Sequence, residues 1–164
     1  MFGMRGGEQA MAVDPATMPA DGHVVFIGHI ASPWTSRENC PKNMRAAREA
    51  GRPATALVDA PFRPGLAGLE GQEHVVLLSW LHRAPRNLIV QKPRHAPEAK
   101  GVFALRSPAR PNPIGLHVVR LLSLDIAAGR LELEAIDVLD GTPLIDIKPY
   151  FASADAPVGS QDGT

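Results

Sequence analysis

Hydrophobic and polar positions alternate most clearly over residues 130–138 of the chain. Leu131 and Leu133 occupy one side of this segment, and Glu132 and Glu134 occupy the other. A period of two is typical of a β-strand with one buried face, because successive side chains of a strand point to opposite sides. The pattern therefore predicts a strand that packs on a core with one face and meets water with the other.

Short apolar runs predict most of the remaining strands. They have the length of strands and are bounded by residues that favour turns. The runs cover residues 24–30, 54–58, 75–81, 102–105, 116–126 and 143–147. The run 75–81 is apolar along most of its length, which predicts a central strand buried on both faces.

Few helices are predicted. Residues 41–50 favour a short helix, because Pro41 stands near its start and Gly51 stops it. Residues 61–71 predict a turn-rich connection with one helical turn at 66–69. At least six strands with so few helices predict a mainly β fold, a single-domain antiparallel β-barrel with one or two short helices.

Two tight turns connect predicted strands. The Ala-Ala-Gly link at 127–129 predicts a hairpin, and Asp140-Gly141 predicts a turn ahead of the last strand. The chain has no G-x-G-x-x-G pattern between a strand and a helix, so a Rossmann-type nucleotide-binding unit is not expected.

Composition narrows the class of protein further. A chain of 164 residues with 45% hydrophobic residues suits one domain with a real core. The single cysteine, Cys40, excludes an intramolecular disulfide and fits a reducing, cytoplasmic compartment. No apolar run is long enough to cross a membrane, and residues 1–22 lack the apolar core of a secretory signal. We expect 1–22 and 153–164 to be disordered around a domain at 23–152.

Charge is unevenly distributed although the formal net charge is zero. Residues 83–110 contain seven Lys or Arg and one acid, whereas residues 125–164 contain eight acids and two bases. A local basic stretch can bind a phosphate backbone in a neutral chain. A solvated basic loop is the alternative interpretation.

A stiff polar loop is predicted within residues 101–115, GVFALRSPARPNPIG. Its three prolines cannot continue a helix or a central strand, and each restricts the residue before it. The loop presents four polar side chains, Arg106, Ser107, Arg110 and Asn112. Rigid polar loops at strand ends often form binding sites. A proline-stiffened surface connection is the alternative.

A second motif, LDGTPLIDIKPY at residues 139–150, changes the balance between these interpretations. Together the two segments resemble the TrmO-like (YaeB-like, TsaA-like) family of S-adenosylmethionine-dependent tRNA methyltransferases, whose members carry nearly the same motifs in the same order. Weaker resemblance at Ser32-Pro33 and at Pro41-Lys42-Asn43 extends the match over roughly residues 24–152.

The resemblance implies a function. Family members share an all-β barrel core and usually pair as homodimers. They transfer a methyl group from S-adenosylmethionine to N6 of threonylcarbamoyl-adenosine 37 in tRNA, with neither a metal nor a membrane. Longer members have an additional C-terminal domain. We expect this chain, which stops after the second motif, to be a short form without it.

The resemblance also implies cofactor contacts at four places. These positions are Lys42 and Asn43, His82 and Arg83, Arg106 and Leu116, and Leu144, Ile145, Asp146 and Ile147. Many members have Arg-Gln in place of Lys42-Asn43, and relatives often have Gln in place of Arg83. Such exchanges alter a contact that needs a planar fork.

Each position also has a structural interpretation. His82 fits a polar residue at a strand rim, and the leucine and isoleucine positions fit a barrel core. Arg106 and Asp146 fit a salt bridge. Arg110 and Asn112 fit a role in bracing the loop backbone.

Catalysis at N6 needs a proton acceptor, because the nitrogen lone pair is conjugated and its proton must leave. Three carboxylates are candidates, Asp137, Asp140 and Asp146. Lys148 and Tyr150 are candidate hydrogen-bond partners, and we favour Asp146 with Lys148 as the catalytic pair. Asp140 also fits a turn residue.

RNA contacts are expected in the basic stretch. The candidates are Arg94, Lys100, Arg110 and Asn112. Two other functions stay open: methylation of a different RNA or a small molecule, and a non-catalytic module that binds the cofactor or RNA.

Overall fold

Six antiparallel strands close into a barrel in the computed structural model of this chain, which describes residues 4–94 and 96–157. The strands are β1 Gln9–Ala10, β2 Gly28–Ala31, β3 Ala54–Val58, β4 His74–Trp80, β5 Leu88–Gln91, β6 Lys100–Gly101, β7 Ile114–Asp125, β8 Arg130–Leu133 and β9 Thr142–Pro149. The α-helices are α1 Met44–Ala50 and α2 Ala152–Asp155, and 3-10 turns lie at Pro15–Thr17, Ala60–Leu66 and Val102–Ala104. The predicted mainly β class is confirmed.

The chain divides into two compact units. The first comprises residues up to Val24 together with Trp80–Gly115, and the second comprises Val25–Ser79 with the residues from Leu116 onward. The barrel order is β2-β3-β8-β7-β4-β9, so β9 pairs with β2 on one side and with β4 on the other. A separate three-stranded sheet has the order β1-β5-β6.

Strand β4 shows how the barrel buries its side chains. Val75, Leu77 and Ser79 are buried, whereas Val76 and Leu78 are only partly buried. The prediction that this strand is buried on both faces is therefore wrong. A barrel strand has one interior face, and its apolar outward residues are left partly accessible.

Several predicted boundaries shift. The first barrel strand begins at Gly28, and the strand at 130–138 ends at Leu133. Residues 102–105 do not form a strand, because Leu105 N–H donates to Val102 C=O at 3.1 Å and closes a 3-10 turn. The helical turn expected at 66–69 lies at Ala60–Leu66, where a proline stands in the first turn.

Capping explains the bounds of α1. The side chain of Asn43 accepts a hydrogen bond from Ala46 N–H at 2.9 Å, and Gly51 ends the helix in the left-handed region at φ 63°. The predicted hairpin is also present, with Gly129 at φ 68° between β7 and β8.

The terminal segments differ in how far they are described. Within residues 4–22, expected to be disordered, β1 pairs with β5 through Gln9 opposite Val90. Residues 1–3, 95 and 158–164 lie outside the described residues, and these include most of the tail predicted at 153–164. Across residues 4–94 and 96–157, no helix is long and apolar enough to cross a membrane.

Candidate functional site

The segment between β8 and β9 is held in place by side chains of residues 32–34. Trp34 Nε1 donates to Ile136 C=O at 2.7 Å, and Ser32 Oγ donates to Val138 C=O at 2.7 Å. Buried hydrogen bonds of this kind fix a non-repetitive backbone that a strand ladder no longer holds. Asp137 lies between the two fixed carbonyl groups.

The carboxylate of Asp137 ends a chain of three hydrogen-bonded side chains. His117 Nδ1 lies 2.7 Å from Asp137 Oδ1, and His117 Nε2 lies 2.8 Å from Ser79 Oγ. His117 belongs to β7 and Ser79 to β4, so neighbouring barrel strands supply the two inner members. Nδ1 donates its proton to Asp137, since an ionised carboxylate only accepts hydrogen bonds.

Solvent exposure increases along this hydrogen-bonded series, from Ser79 through His117 to Asp137. Ser79 is fully buried, the His117 side chain is 6% exposed and the Asp137 side chain is 17% exposed. The residue types match those of a Ser-His-Asp hydrolase. However, a fully buried hydroxyl cannot reach an external carbonyl group, so the accessible carboxylate is the end that can meet a substrate.

Cys40 places the motif Pro41-Lys42-Asn43 near Asp137. Burial, and then the negative charge of Asp137, raise the pKa of the Cys40 thiol to about 11. The side chain of Lys42 is exposed, and the oxygen of the Asn43 side chain is engaged as the cap of α1. The charge of Asp137 thus acts on the thiol that directly precedes the motif Pro41-Lys42-Asn43.

Strand β9 carries the predicted pair Asp146 and Lys148. Lys148 Nζ lies 2.8 Å from Asp146 Oδ2, and this hydrogen bond raises the pKa of Lys148. Both side chains are largely exposed, at 42% for Asp146 and 61% for Lys148. An exposed ion pair of this kind contributes little to stability. Asp146 therefore pairs with Lys148, which was predicted as a hydrogen-bond partner of the catalytic carboxylate.

The other predicted cofactor positions on β9 differ in burial, and part of this strand has an unpaired backbone edge. Leu144 is fully buried, and its carbonyl accepts a hydrogen bond from Ile27 N–H at 2.9 Å, which fits the core interpretation. Ile145 and Ile147 are partly buried. The register with β2 ends at Leu144, while that with β4 continues to Pro149. One backbone edge of β9 beyond Leu144 therefore lacks a strand neighbour within the described barrel.

The proline loop belongs to the first unit, and Arg110 braces it. The Arg110 guanidinium donates to the carbonyls of Ser107 at 2.8 Å and Val102 at 3.0 Å, and also to that of Leu105. Asn112 Oδ1 accepts from Arg86 at 3.2 Å. Arg110 fits the bracing interpretation, because its guanidinium binds carbonyls of the loop, whereas the side-chain oxygen of Asn112 is held by Arg86 from outside the loop.

The remaining predicted residues of the first unit are exposed. They are His82, Arg83, Arg94, Lys100 and Arg106. Leu116, in the second unit, is 49% exposed and so does not belong to the core. Asp140 Oδ1 accepts from Ser32 N–H at 2.9 Å beside the turn at Gly141, which supports the structural interpretation of Asp140.

Two residues of the site were missed by sequence reasoning, Ser79 and His117. Each is a buried polar residue, at a position of its strand where the next buried residues are apolar or glycine. That pattern was the available signal, but the partner of each residue depends on which strands are neighbours in the barrel. No group of three His, Cys, Asp or Glu side chains suited to a metal occurs within the described parts of the chain.

Comparison with known proteins adds relatives of similar length. Over 129 residues the chain is 37% identical to the "Probable S-adenosyl-L-methionine-binding protein VirR" of Rhizobium radiobacter, covering 79% of this chain and 71% of that protein. It is 37% identical over 130 residues to a "Probable S-adenosyl-L-methionine-binding protein" of Methanothermobacter thermautotrophicus, covering 79% of this chain and 90% of the relative.

Two further matches come from Pseudomonas aeruginosa. One is the "Putative S-adenosylmethionine-dependent methyltransferase RcsF", which is 42% identical over 142 residues, covering 84% of this chain and 60% of that protein. The other is the crystal structure of TrmO, with a TM-score of 0.69 and 38% identity, covering 90% of this chain and 62% of that one. The chain thus spans about three fifths of the solved TrmO chain.

The model of the family "tRNA-methyltransferase O N-terminal domain" matches residues 29–156, which include the barrel strands, the segment around Asp137 and both motifs. The match covers more than half of the chain, and the resemblance in sequence agrees with it. The chain belongs to the tRNA-methyltransferase O N-terminal domain family.

Proposed function

We propose that this protein transfers a methyl group from S-adenosylmethionine to N6 of threonylcarbamoyl-adenosine 37 in tRNA. The observation that carries the proposal is the family match over residues 29–156, which contains both motifs. Relatives named as S-adenosylmethionine-binding proteins or methyltransferases support the cofactor. The description of the family supports tRNA as the acceptor. The acceptor is a more specific claim than methyl transfer from the cofactor.

The second unit has groups suited to this cofactor. The edge of β9 beyond Leu144 has no strand neighbour in the described barrel, and although Ile147 N–H donates to Asp146 Oδ1, its remaining backbone groups can pair with the polar edge of an adenine. The carboxylate of Asp146 suits a cationic amino acid group. Lys42 stands exposed on the loop that also carries Cys40. His82, Arg83, Arg106 and Leu116 stay predictions from the resemblance.

The main requirement of methyl transfer is the correct orientation of the acceptor nitrogen relative to the methyl group. S-adenosylmethionine, when bound, supplies an electrophilic methyl group. The protein has to hold the acceptor nitrogen in line with that group and exclude water, since proximity and orientation supply much of the rate. Asp137, Asp146 and Lys148 are the candidate catalytic residues.

RNA binding is assigned to the exposed basic residues Arg94 and Lys100 of the first unit. Basic side chains bind phosphates without reading the sequence, so they position the tRNA rather than select it. Arg110 and Asn112 stay predictions for this role, although loop carbonyls engage the Arg110 guanidinium and Arg86 engages the side-chain oxygen of Asn112.

A transfer assay tests the proposal. The protein is incubated with methyl-labelled S-adenosylmethionine and with tRNA that carries threonylcarbamoyl-adenosine 37, and the nucleosides are then analysed. We expect label only in N6-methylated threonylcarbamoyladenosine, and none with the same tRNA lacking the threonylcarbamoyl group. Label in another nucleoside or a small molecule would indicate a different acceptor. Cofactor binding without any transfer would indicate a non-catalytic module.

The proposal also includes a homodimer. Exposed apolar side chains of the second unit support it, namely Val25 at 66%, Leu122 at 52% and Phe151 at 51%. Isolated exposed apolar residues are normal, so the mass in solution has to be measured. We expect light scattering to give twice the 17.5 kDa of the chain, and a monomer at micromolar concentration would contradict this part.

A further inference from the structure

The Ser79–His117–Asp137 chain of hydrogen bonds has a direction that its exposure defines. Its hydroxyl end is closed, since Ser79 is fully buried on β4, and its carboxylate end is open at 17% exposure. The imidazole between them is 6% exposed and has both ring nitrogens engaged. The only member that an external substrate can touch is therefore Asp137.

Asp137 differs from Asp146 in what occupies its carboxylate. Asp146 binds the ammonium of Lys148 at 2.8 Å through one oxygen and the backbone N–H of Ile147 at 2.9 Å through the other. The hydrogen bond of Asp137 to His117 uses only Oδ1. The nearby Cys40 thiol is neutral at physiological pH, because burial and the Asp137 charge raise its pKa to about 11.

We propose that Asp137 is the base that accepts the proton of the acceptor nitrogen, and that His117 and Ser79 are positioning residues for its carboxylate. This inference rests on the proposed methyl transfer. The bond between sulfur and the methyl carbon breaks, the sulfur keeps the electron pair, and the new bond forms from the nitrogen lone pair. The nitrogen then gives its proton to Asp137 Oδ2, and the protonated Asp137 returns it to water.

His117 acts on the geometry of that carboxylate. Its Nδ1–H holds Oδ1, which restricts the rotation of the carboxyl group and leaves Oδ2 without a hydrogen-bond partner among the described residues. The Ser79 hydroxyl holds Nε2 and so fixes the ring and its tautomer from behind. Orientation by a buried neighbour of this kind keeps a reacting group within the narrow range that catalysis needs.

The two positioning contacts can be separated by a matched pair of variants. In H117N the side-chain amide lies near the position of Nδ1 and can still donate to Asp137. In H117Q it lies near the position of Nε2, so it keeps the Ser79 contact and loses Asp137. A merely structural role of the imidazole predicts similar losses in both variants, whereas the proposal predicts that H117N retains activity better than H117Q.

The experiment measures kcat, KM and calorimetric cofactor affinity for the wild type and the variants D137N, D146N, H117N and H117Q. E49Q is the control, because it removes an exposed carboxylate on α1. We expect D137N to lower kcat by about 100-fold or more, in the range of a lost general base, with cofactor affinity within about twofold of the wild type. H117Q should lower kcat by about tenfold, the equivalent of one charged hydrogen bond.

A second measurement does not depend on activity. Nitrogen-15 spectra of the histidine rings should show His117 with its proton on Nδ1, and H117N identifies the signal by its absence. D137N should weaken that hydrogen bond and shift the signal. A His117 ring without a proton on Nδ1 in the wild type would contradict the arrangement.

The outcomes separate the two proposals. If the wild type methylates tRNA while D137N keeps kcat within about twofold, Asp137 is not the base and the proposed function stands. The same conclusion follows if only D146N loses kcat. If the wild type transfers no methyl group to tRNA, the proposed function fails and this inference fails with it. Circular dichroism and cofactor affinity show that each variant is folded.

Discussion

Cys40 is a reporter for the charge of Asp137, because it is the only cysteine of the chain. Burial and the Asp137 carboxylate raise its pKa to about 11 from an ordinary value of 9.0. A raised thiol pKa keeps the protonated form over a wider pH range, so at pH 8 the thiolate fraction should be about 100-fold below that of an ordinary thiol. Iodoacetamide labelling should accelerate about tenfold per pH unit up to pH 11.

The control for this prediction is the unfolded protein, which should be alkylated at the rate of an ordinary thiol. D137N should lower the pKa of Cys40 only in part, since burial is the larger cause. A labelling midpoint below pH 9 in the folded protein would contradict the burial of Cys40, and an unchanged pKa in D137N would contradict the influence of the Asp137 charge.

Gly129 is required by the hairpin between β7 and β8. Its φ of 68° lies in the left-handed region, and a Cβ there would collide with the carbonyl oxygen of Val58 and approach Arg63 Nε to 2.7 Å. We expect G129A to lower the free energy of unfolding by about 3 kcal/mol, the upper end for such backbone strain, as measured by urea denaturation. G51A is the control, since φ there is 63° but no atom lies within 4 Å of the added carbon. G51A should cost only about 1 kcal/mol, and equal losses in the two variants would contradict the role of the collision.

At the scale of single residues, sequence reasoning named one member of the Ser79–His117–Asp137 group. Asp137 was a candidate base because a carboxylate suits proton transfer. Ser79 and His117 could not be identified with it, because 38 and 20 residues separate the members and only the barrel register brings them together. The preferred pair Asp146 and Lys148 illustrates the converse, since motif residues that alternate on a strand can satisfy each other in solvent.

Among the structural elements, the proline loop depends on Arg86 as well as on Arg110. Arg86 Nε donates to Pro111 C=O at 2.6 Å, and its guanidinium lies over the Trp80 ring at 5.4 Å. R86A should lower protection from hydrogen exchange in the loop around Asn112, and R86K should restore only part of it because lysine lacks the planar fork. R83A, at an exposed arginine of the same unit, is the control. Unchanged exchange in R86A would show that the prolines alone stiffen the loop.

The predicted strands match the structure where the apolar residues of the sequence pattern are also the residues that become buried. The strand at 54–58 has the predicted bounds, because it lies between β2 and β8 in the barrel with four of its five residues buried. The run at 102–105 is apolar in sequence, yet Phe103 is 81% exposed and the segment turns. β5 was not predicted, since all four of its residues are only partly buried and give no alternation.

For the whole molecule, the barrel could be predicted as a class and not as a topology. Counting strands indicated an antiparallel sheet or barrel, and the hairpin at Gly129 fixed one neighbour pair. The pairings of β9 with β2 and β4 join strands that are far apart in sequence, and no local pattern encodes them. Those pairings nevertheless create the free edge of β9 and close the barrel in which β4 and β7 are neighbours, so the site follows from the least predictable part of the fold.

The binding of tRNA should depend on salt in a way that the charge distribution specifies. The chain has a formal net charge of zero, so we expect attraction to phosphate to come from the local excess of basic residues at 83–110. Each phosphate contact that is lost should reduce the slope of log K against log salt by about 0.7 to 0.9. The double variant R94A/K100A should therefore reduce the slope by about 1.5, while cofactor affinity measured by calorimetry stays the same. R45A is the control, since this exposed arginine pairs with Glu49 on α1 outside the basic stretch. If R94A/K100A and R45A bind tRNA with equal slopes, the RNA surface lies elsewhere on the molecule.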